Sequence, residues 1–185
     1  MGMDTAKLTE LIREGCRRAF GELRAAHPEQ TFYAFALYTD GGLMTIMPAA
    51  NTEQRLAPKA ASTKDAQTRA YYRWAPAEWA YEASGLEHFD EAHELLNAPD
   101  TQYQGDDDAA ADRAFRERGN EVIGSMVEAL RQLDAEQFFG TGDARNRVTL
   151  FVSVSDDDGA LEIETKSAEV LNPPAVAAAF AKRYG

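Results

Sequence analysis

The chain has 185 residues, 44% of them hydrophobic, which suits a single compact α+β domain with a core of its own. The formal net charge is −12 and the isoelectric point about 4.7. Such a surface repels phosphate backbones and anionic lipid, which argues against nucleic-acid and membrane binding; it would attract a basic protein partner, and its bland reading is solubility.

In chain order, residues 4–26 place Leu8, Leu11, Ile12, Ala19, Phe20 and Leu23 at helical spacing, which predicts an amphipathic helix. Cys16 lies near the same face and reads as a small buried thiol; as the single cysteine it excludes an internal disulfide and a multi-cysteine zinc site. No apolar run opens the chain, so neither a signal peptide nor a transmembrane span is expected, and Ala6 stands where a myristoylation motif needs Ser or Thr. A cytoplasmic protein is the expectation.

After Pro28, residues 31–38 are apolar on both alternating faces, which predicts a central strand covered on both sides. Asp40-Gly41-Gly42 is a turn signal, and residues 43–47 are expected to return as the second strand of a hairpin closed by Pro48. Asn51 is placed to cap a helix with Gln54 at its third position. Residues 57–68 read as a helix end and loop, residues 69–75 as a third strand, and Pro76 as the first turn of a helix carrying Trp79.

Residues 89–96 predict a short helix, and 98–108 an exposed connection. A long helix follows over 109–138, with Phe115, Val122, Met126, Leu130 and Leu133 as its buried stripe. Gly140-Thr141-Gly142 stops it. Residues 148–154 form a clear strand, Asp156-Asp157-Asp158-Gly159 a turn, and 160–166 a strand pairing back. Asn172 is expected to cap the last helix, with Pro173 in its first turn and Val176, Phe180 and Tyr184 facing inward. There is no internal repeat. The expected architecture is one domain over 1–185, a mostly antiparallel sheet packed against several helices.

Motifs that carry chemistry are sparse. His88 and His93 are five apart, so a helix points them to different faces, and the Glu87, Asp90, Glu91 and Glu94 around them read as a solvated acidic face. Asp156, Asp158 and Gly159 lack the remaining spacing of a calcium loop. Asp106-Asp107-Asp108 reads as the cap of the long helix, where negative charge suits the dipole. The glycines at 140 and 142 follow a helix rather than opening one, which makes a C-cap rather than a phosphate cradle. Ser125 lacks the second glycine of a nucleophile elbow. No catalytic residue, metal ligand or cofactor site is read from the sequence.

The densest signal is Tyr71 to Glu82, which holds both tryptophans and three of the seven tyrosines. Trp74 and Trp79 read as core anchors, with Glu78 and Glu82 facing water. The alternative is a recognition face built from Tyr71, Tyr72, Arg73, Trp74, Glu78, Trp79 and Tyr81, where Arg73 supplies a cation–π or carboxylate contact.

The blocks Phe32 to Asp40, Pro48 to Glu53, Arg73 to Trp79, Phe138-Phe139-Gly140, Leu150 to Asp156 and Ser167 to Pro173 occur in order over nearly the whole chain. Together they resemble a bacterial family of uncharacterised proteins, domain-of-unknown-function family 4303. The resemblance implies no catalytic residues, and its style is similar to that of small α+β immunity proteins that neutralise toxins. The functional expectation is a non-enzymatic acidic binding protein that masks a basic toxin or effector. The alternatives are a small-molecule or peptide module with an aromatic pocket, and an unrecognised hydrolase or transferase.

Overall fold

The computed structural model describes residues 3–99, 107–155 and 158–185. The first helix, α1 (Thr5–Ala26), is capped by Asp4, whose carboxylate accepts from Lys7 N at 2.9 Å. Leu8, Ile12, Cys16, Ala19, Phe20 and Leu23 form its buried stripe, as their spacing predicts. Strand β1 (Phe32–Thr39) is buried at every residue after the first, so the central strand is covered on both faces.

Strand β2 (Met47–Thr52) pairs antiparallel with β1 from Tyr38↔Met47 to Phe32↔Thr52. The hairpin forms, but the return strand begins at Met47 rather than Leu43, and Pro48 lies inside it. Asp40 is the reason. Its carboxylate accepts from Gly42 N at 2.8 Å, Met44 N at 3.2 Å and Thr45 Oγ1 at 2.6 Å, which closes residues 40–45 into a loop of their own. Helix α2 (Glu53–Ala61) is capped by Thr52 rather than Asn51, because the Asn51 side chain is turned into the sheet layer and donates to the Tyr33 hydroxyl at 3.0 Å.

Residues 69–75, expected as a strand, belong to helix α3 (Ala66–Trp74). Asp65 starts it by accepting from both Thr68 N and Thr68 Oγ1, at 2.6 and 2.7 Å. Pro76 opens a 3-10 turn that ends at Glu78, and Trp79 follows outside it. The short strand β3 (Tyr81–Glu82) and a 3-10 turn over Leu86–Phe89 lead into α4 (Asp90–Leu96).

Most of the expected connection, residues 100–106, lies outside the described residues. Asp107 caps α5 (Asp108–Ala135), accepting from Ala109 N at 2.9 Å. Val122, Met126, Leu130 and Leu133 are buried on α5, whereas Phe115 is 49% exposed and stands off the stripe. A single turn, α6 (Gly142–Arg145), precedes β4 (Thr149–Val154). The predicted turn at Asp156-Asp157 also lies outside the described residues.

The expected final strand at 160–166 is instead helix α7 (Ala160–Leu171), and α8 (Pro174–Ala181) follows. The sheet order is β3-β2-β1-β4. Two of its pairings are antiparallel, while β1 and β4 run parallel, so the sheet is mixed. The outer edge of β4 is occupied by α7. Leu150 N donates to Asn172 Oδ1 at 2.8 Å, Asn172 Nδ2 donates to Leu150 O at 2.6 Å, and Val152 N donates to Ser167 Oγ at 2.9 Å. Side chains thus fill the edge that a return strand would have taken. This also removes Asn172 from capping the last helix, where Pro173 holds the cap position and Pro174 the first turn. Tyr184 lies beyond α8 and is 41% exposed.

Helices cover both faces of the sheet. One core packs α1, α4 and α5 against Phe35, Leu37, Leu150 and Val152. The other gathers Leu56, Trp79, Ala168 and Phe180 over Tyr33, Ala36 and Phe151. No helix among the described residues is long and apolar enough to cross a membrane.

Candidate functional site

The aromatic segment is divided among several environments. Trp79 is buried, its ring edge-on to Phe151 at 5.7 Å, and its Nε1 donates to Arg73 O at 3.0 Å. The Tyr33 hydroxyl donates to the same carbonyl at 2.8 Å, and burial pushes that phenol above its ordinary range. The Arg73 guanidinium lies over the Tyr33 ring at 4.1 Å and donates to both oxygens of Glu53, at 2.6 and 3.1 Å. Burial works against the Arg73 charge, but the Glu53 carboxylate outweighs it and holds the guanidinium above its ordinary pKa. Both contacts expected of Arg73 are therefore present, and both are internal to the fold.

Tyr81 sits in the opposite core, with its hydroxyl donating to Gln30 Oε1 at 2.9 Å and His27 against its ring at 4.9 Å. Glu78 receives Lys59 Nζ at 3.0 Å, and Glu82 accepts from the Tyr38 hydroxyl, so each carboxylate expected to face water has a partner. Tyr71 is 48% exposed. Tyr72 is half-buried, with Lys59 Nζ 5.6 Å from its ring centroid.

Trp74 is half-buried, and one open hollow adjoins it. Trp74, Asn146, Thr149, Ala175, Val176, Ala179 and Phe180 line a space of about 380 Å³. Of the predicted binding residues, only Trp74 reaches this hollow; Asn146 and Thr149, far away in sequence, supply its polar part.

The three histidines are apart. His27 lies tilted against the Tyr81 ring, His88 bonds Glu22 at 2.9 Å, and His93 Nε2 lies 3.0 Å from the Ile46 backbone. Two buried serines and the thiol are held within the fold. Ser153 donates to Glu164 at 2.7 Å, Ser167 serves the β4 edge, and burial drives the Cys16 thiol far above its ordinary range. Among the described residues no group of three or more His, Cys, Asp and Glu side chains is placed to hold a metal ion.

The second feature is a polar cleft of about 420 Å³ between α1 and the segment around α4. Gly15 makes it possible, since a Cβ there would stand 2.9 Å from His88 O and 3.1 Å from the Phe89 ring. The turn is brought onto α1 by Gly85, at φ 79°, where a Cβ would meet Ala19 at 2.6 Å. The cleft is lined by carboxylates from both sides, Glu10 and Glu14 on α1 and Glu87, Asp90 and Glu91 opposite, with Lys7 and Arg18 of α1 also on its wall. Glu10 is paired with Lys7 at 3.2 Å and Glu14 with Arg13 at 3.1 Å. Glu87, Asp90 and Glu91 make no ion pair among the described residues. The acidic run was legible in the sequence. Its convergence on Glu10 and Glu14 was not, because the i,i+4 pair on α1 reads as ordinary surface.

A family model, Domain of unknown function (DUF4303), matches residues 12–173. The chain belongs to the DUF4303 family. Comparison with curated proteins and with solved structures gives no match. The DUF4303 span takes in the whole aromatic segment and the α4 side of the cleft, and ends before Val176 and Phe180 of the hollow. A third concavity, about 600 Å³ between α5 and α7, also falls within the DUF4303 span. It is apolar along Ile123, Val127 and Ile163, with the pairs Arg131–Glu128 at 2.7 Å and Lys166–Glu162 at 2.5 Å.

Proposed function

We propose that this DUF4303 protein is a non-enzymatic acidic binding protein, and that the cleft between α1 and α4 receives basic side chains of a protein partner. The observation that carries the reading is the convergence of five carboxylates on one cleft that holds two cations, Lys7 and Arg18, with Glu87, Asp90 and Glu91 in no ion pair among the described residues. Like charges facing one another across a cleft repel, and a Lys or Arg from outside relieves that repulsion. The net charge of −12 extends the same field beyond the cleft and speeds encounter with a basic surface. Masking a basic toxin or effector, as an immunity protein does, is the sharper form. The engagement of the histidines, Ser153, Ser167 and Cys16 in structural contacts supports the non-enzymatic part.

The test is affinity co-purification of the tagged chain from its native cell at moderate salt, repeated with the triple variant Glu87→Gln, Asp90→Asn, Glu91→Gln. A stoichiometric basic partner is expected. The triple variant should bind it with an association rate lower by about tenfold and a shallower dependence on ionic strength. Retention of the partner with unchanged rate and salt dependence would place the docking surface elsewhere.

A further inference from the structure

The concavity between α5 and α7 has an apolar floor and a charged rim. Ile123 and Val127 of α5 and Ile163 of α7 are half-buried, and Val170 is 62% exposed. Gly124 stands between the first two, and a Cβ there would meet nothing within 4 Å among the described residues. A glycine in a helix interior lowers helix stability, and no close approach among the described residues requires this one. Its bare backbone leaves room for another chain.

The rim narrows the choice of chain. It carries two acids, Glu128 and Glu162, and two bases, Arg131 and Lys166. In a molecule of net charge −12 this patch is balanced, so a second copy meets no local repulsion there. A twofold contact joins a patch to itself and therefore needs both signs within the patch. The order of the charges also fits. Arg145 donates to Asp134 near the end of α5 and to Leu171 O at the end of α7, and the groove runs from there back to Asn120 and Gly159. The two helices thus run in the same direction, and a twofold axis across them lays α5 of one copy antiparallel to α7 of the other. On each helix the acid precedes the base, by three residues on α5 and four on α7. Antiparallel apposition sets Arg131 against Glu162 of the second copy and Lys166 against its Glu128, whereas parallel apposition would set like against like. Within one copy the same ions form exposed pairs, Arg131–Glu128 at 2.7 Å and Lys166–Glu162 at 2.5 Å. Such pairs are individually weak, so exchanging partners across the axis costs little.

We propose that the α5–α7 groove is a twofold dimer interface that receives the same groove of a second copy, with Ile123, Val127, Ile163 and Val170 of both chains closing its apolar floor. It is built on other helices than the acidic cleft and does not depend on it.

Sedimentation velocity of the full chain over about 5 to 500 μM reads the association directly. A monomer–dimer equilibrium is expected. It should tighten by about three- to tenfold between about 10 and 150 mM sodium chloride, because salt screens the repulsion between two bodies of charge −12. Capture of a basic partner by the cleft has the opposite salt dependence. Gly124→Gln should weaken the dimer by about tenfold while leaving the melting temperature of the dilute chain unchanged or higher. Arg131→Glu and Glu162→Arg should each weaken self-association by about tenfold. An equimolar mixture of those two variants should regain the wild-type affinity, because in the mixed dimer every facing pair is again acid against base. The triple variant of the cleft should still dimerise, so failure of one proposal does not imply failure of the other. A monomer at every concentration overturns the inference and leaves the groove to a different chain. A dimer that Gly124→Gln leaves intact overturns it equally, as does a mixture of the two charge variants that associates no more tightly than either alone.

Discussion

Arg145 is among the few charged side chains that the fold buries, and its bonds explain why. Nε donates to Asp134 at 2.5 Å, Nη1 to Val148 O at 2.7 Å, and Nη2 to Leu171 O at 2.7 Å. One planar group thereby ties the C-terminal part of α5 to the start of β4 and the end of α7. In the sequence Arg145 stands between two glycines and a strand, and nothing local marks it as buried, because its partners are up to 27 residues away. The Arg145→Met variant leaves two carbonyls without a donor and a carboxylate without its cation, and should lose about 3 kcal/mol in urea unfolding. Arg145→Lys should recover only part, since an ammonium cannot fork to three acceptors in a plane. A loss below about 1 kcal/mol for the Met variant would mean that the carbonyls find other partners. The same logic governs what was legible of the aromatic segment. Its density marked Trp74 and Trp79 as anchors, but the carbonyl that joins Trp79 to Tyr33 belongs to Arg73, 40 residues from Tyr33. That juxtaposition is a property of the sheet layer and leaves no local trace.

At the scale of elements, periodicity located α1, β1, α5 and β4 because each buries a face long enough to repeat. It failed at α3 and α7, where short apolar runs satisfy both periods. At α3 the deciding contact is the Asp65 cap on Thr68, and at α7 it is the use of Ser167 and Asn172 to occupy the edge of β4. The 40–45 loop was missed for a similar reason, since a single carboxylate organises it. Partial burial of Asp40 acts to raise its pKa, but hydrogen bonds from Thr45, Gly42 and Met44 outweigh it and leave the group below its ordinary value of 3.8. A depressed folded-state pKa means stability that is fully present above the ordinary value and lost as pH falls through the folded one. Asp40→Ala should therefore cost about 1–2 kcal/mol at neutral pH. The gap from wild type should begin to close below about pH 3.8 and vanish at lower pH, as read from urea unfolding at a series of pH values. A gap independent of pH would show that the loop is held by its backbone rather than by the carboxylate.

For the molecule as a whole, composition indicated one acidic α+β domain, and the structure describes a four-stranded mixed sheet between two helical layers. The parallel β1–β4 pairing was beyond reach of the sequence, because it depends on a crossover rather than on any turn signal. The net charge has a consequence for the entire fold. Thirty-one acidic side chains against nineteen basic ones leave twelve unmatched negative charges to be brought together on folding. Against this stand local ion pairs such as Lys7–Glu10, Arg131–Glu128 and Lys166–Glu162, most of them exposed and individually weak. Salt screens both, but the unmatched repulsion is long-ranged and sums over many pairs, whereas each exposed pair contributes little. Raising sodium chloride from about 10 to 150 mM, which shortens the screening length to about 8 Å, should therefore raise the melting temperature, by about 2–4 °C. The triple variant Glu87→Gln, Asp90→Asn, Glu91→Gln should start from a higher melting temperature at low salt and gain less from the added salt, because those three carboxylates make no ion pair among the described residues. A melting temperature that falls with salt would mean that the paired charges govern the fold, and would remove the electrostatic strain on which the acidic docking cleft is argued.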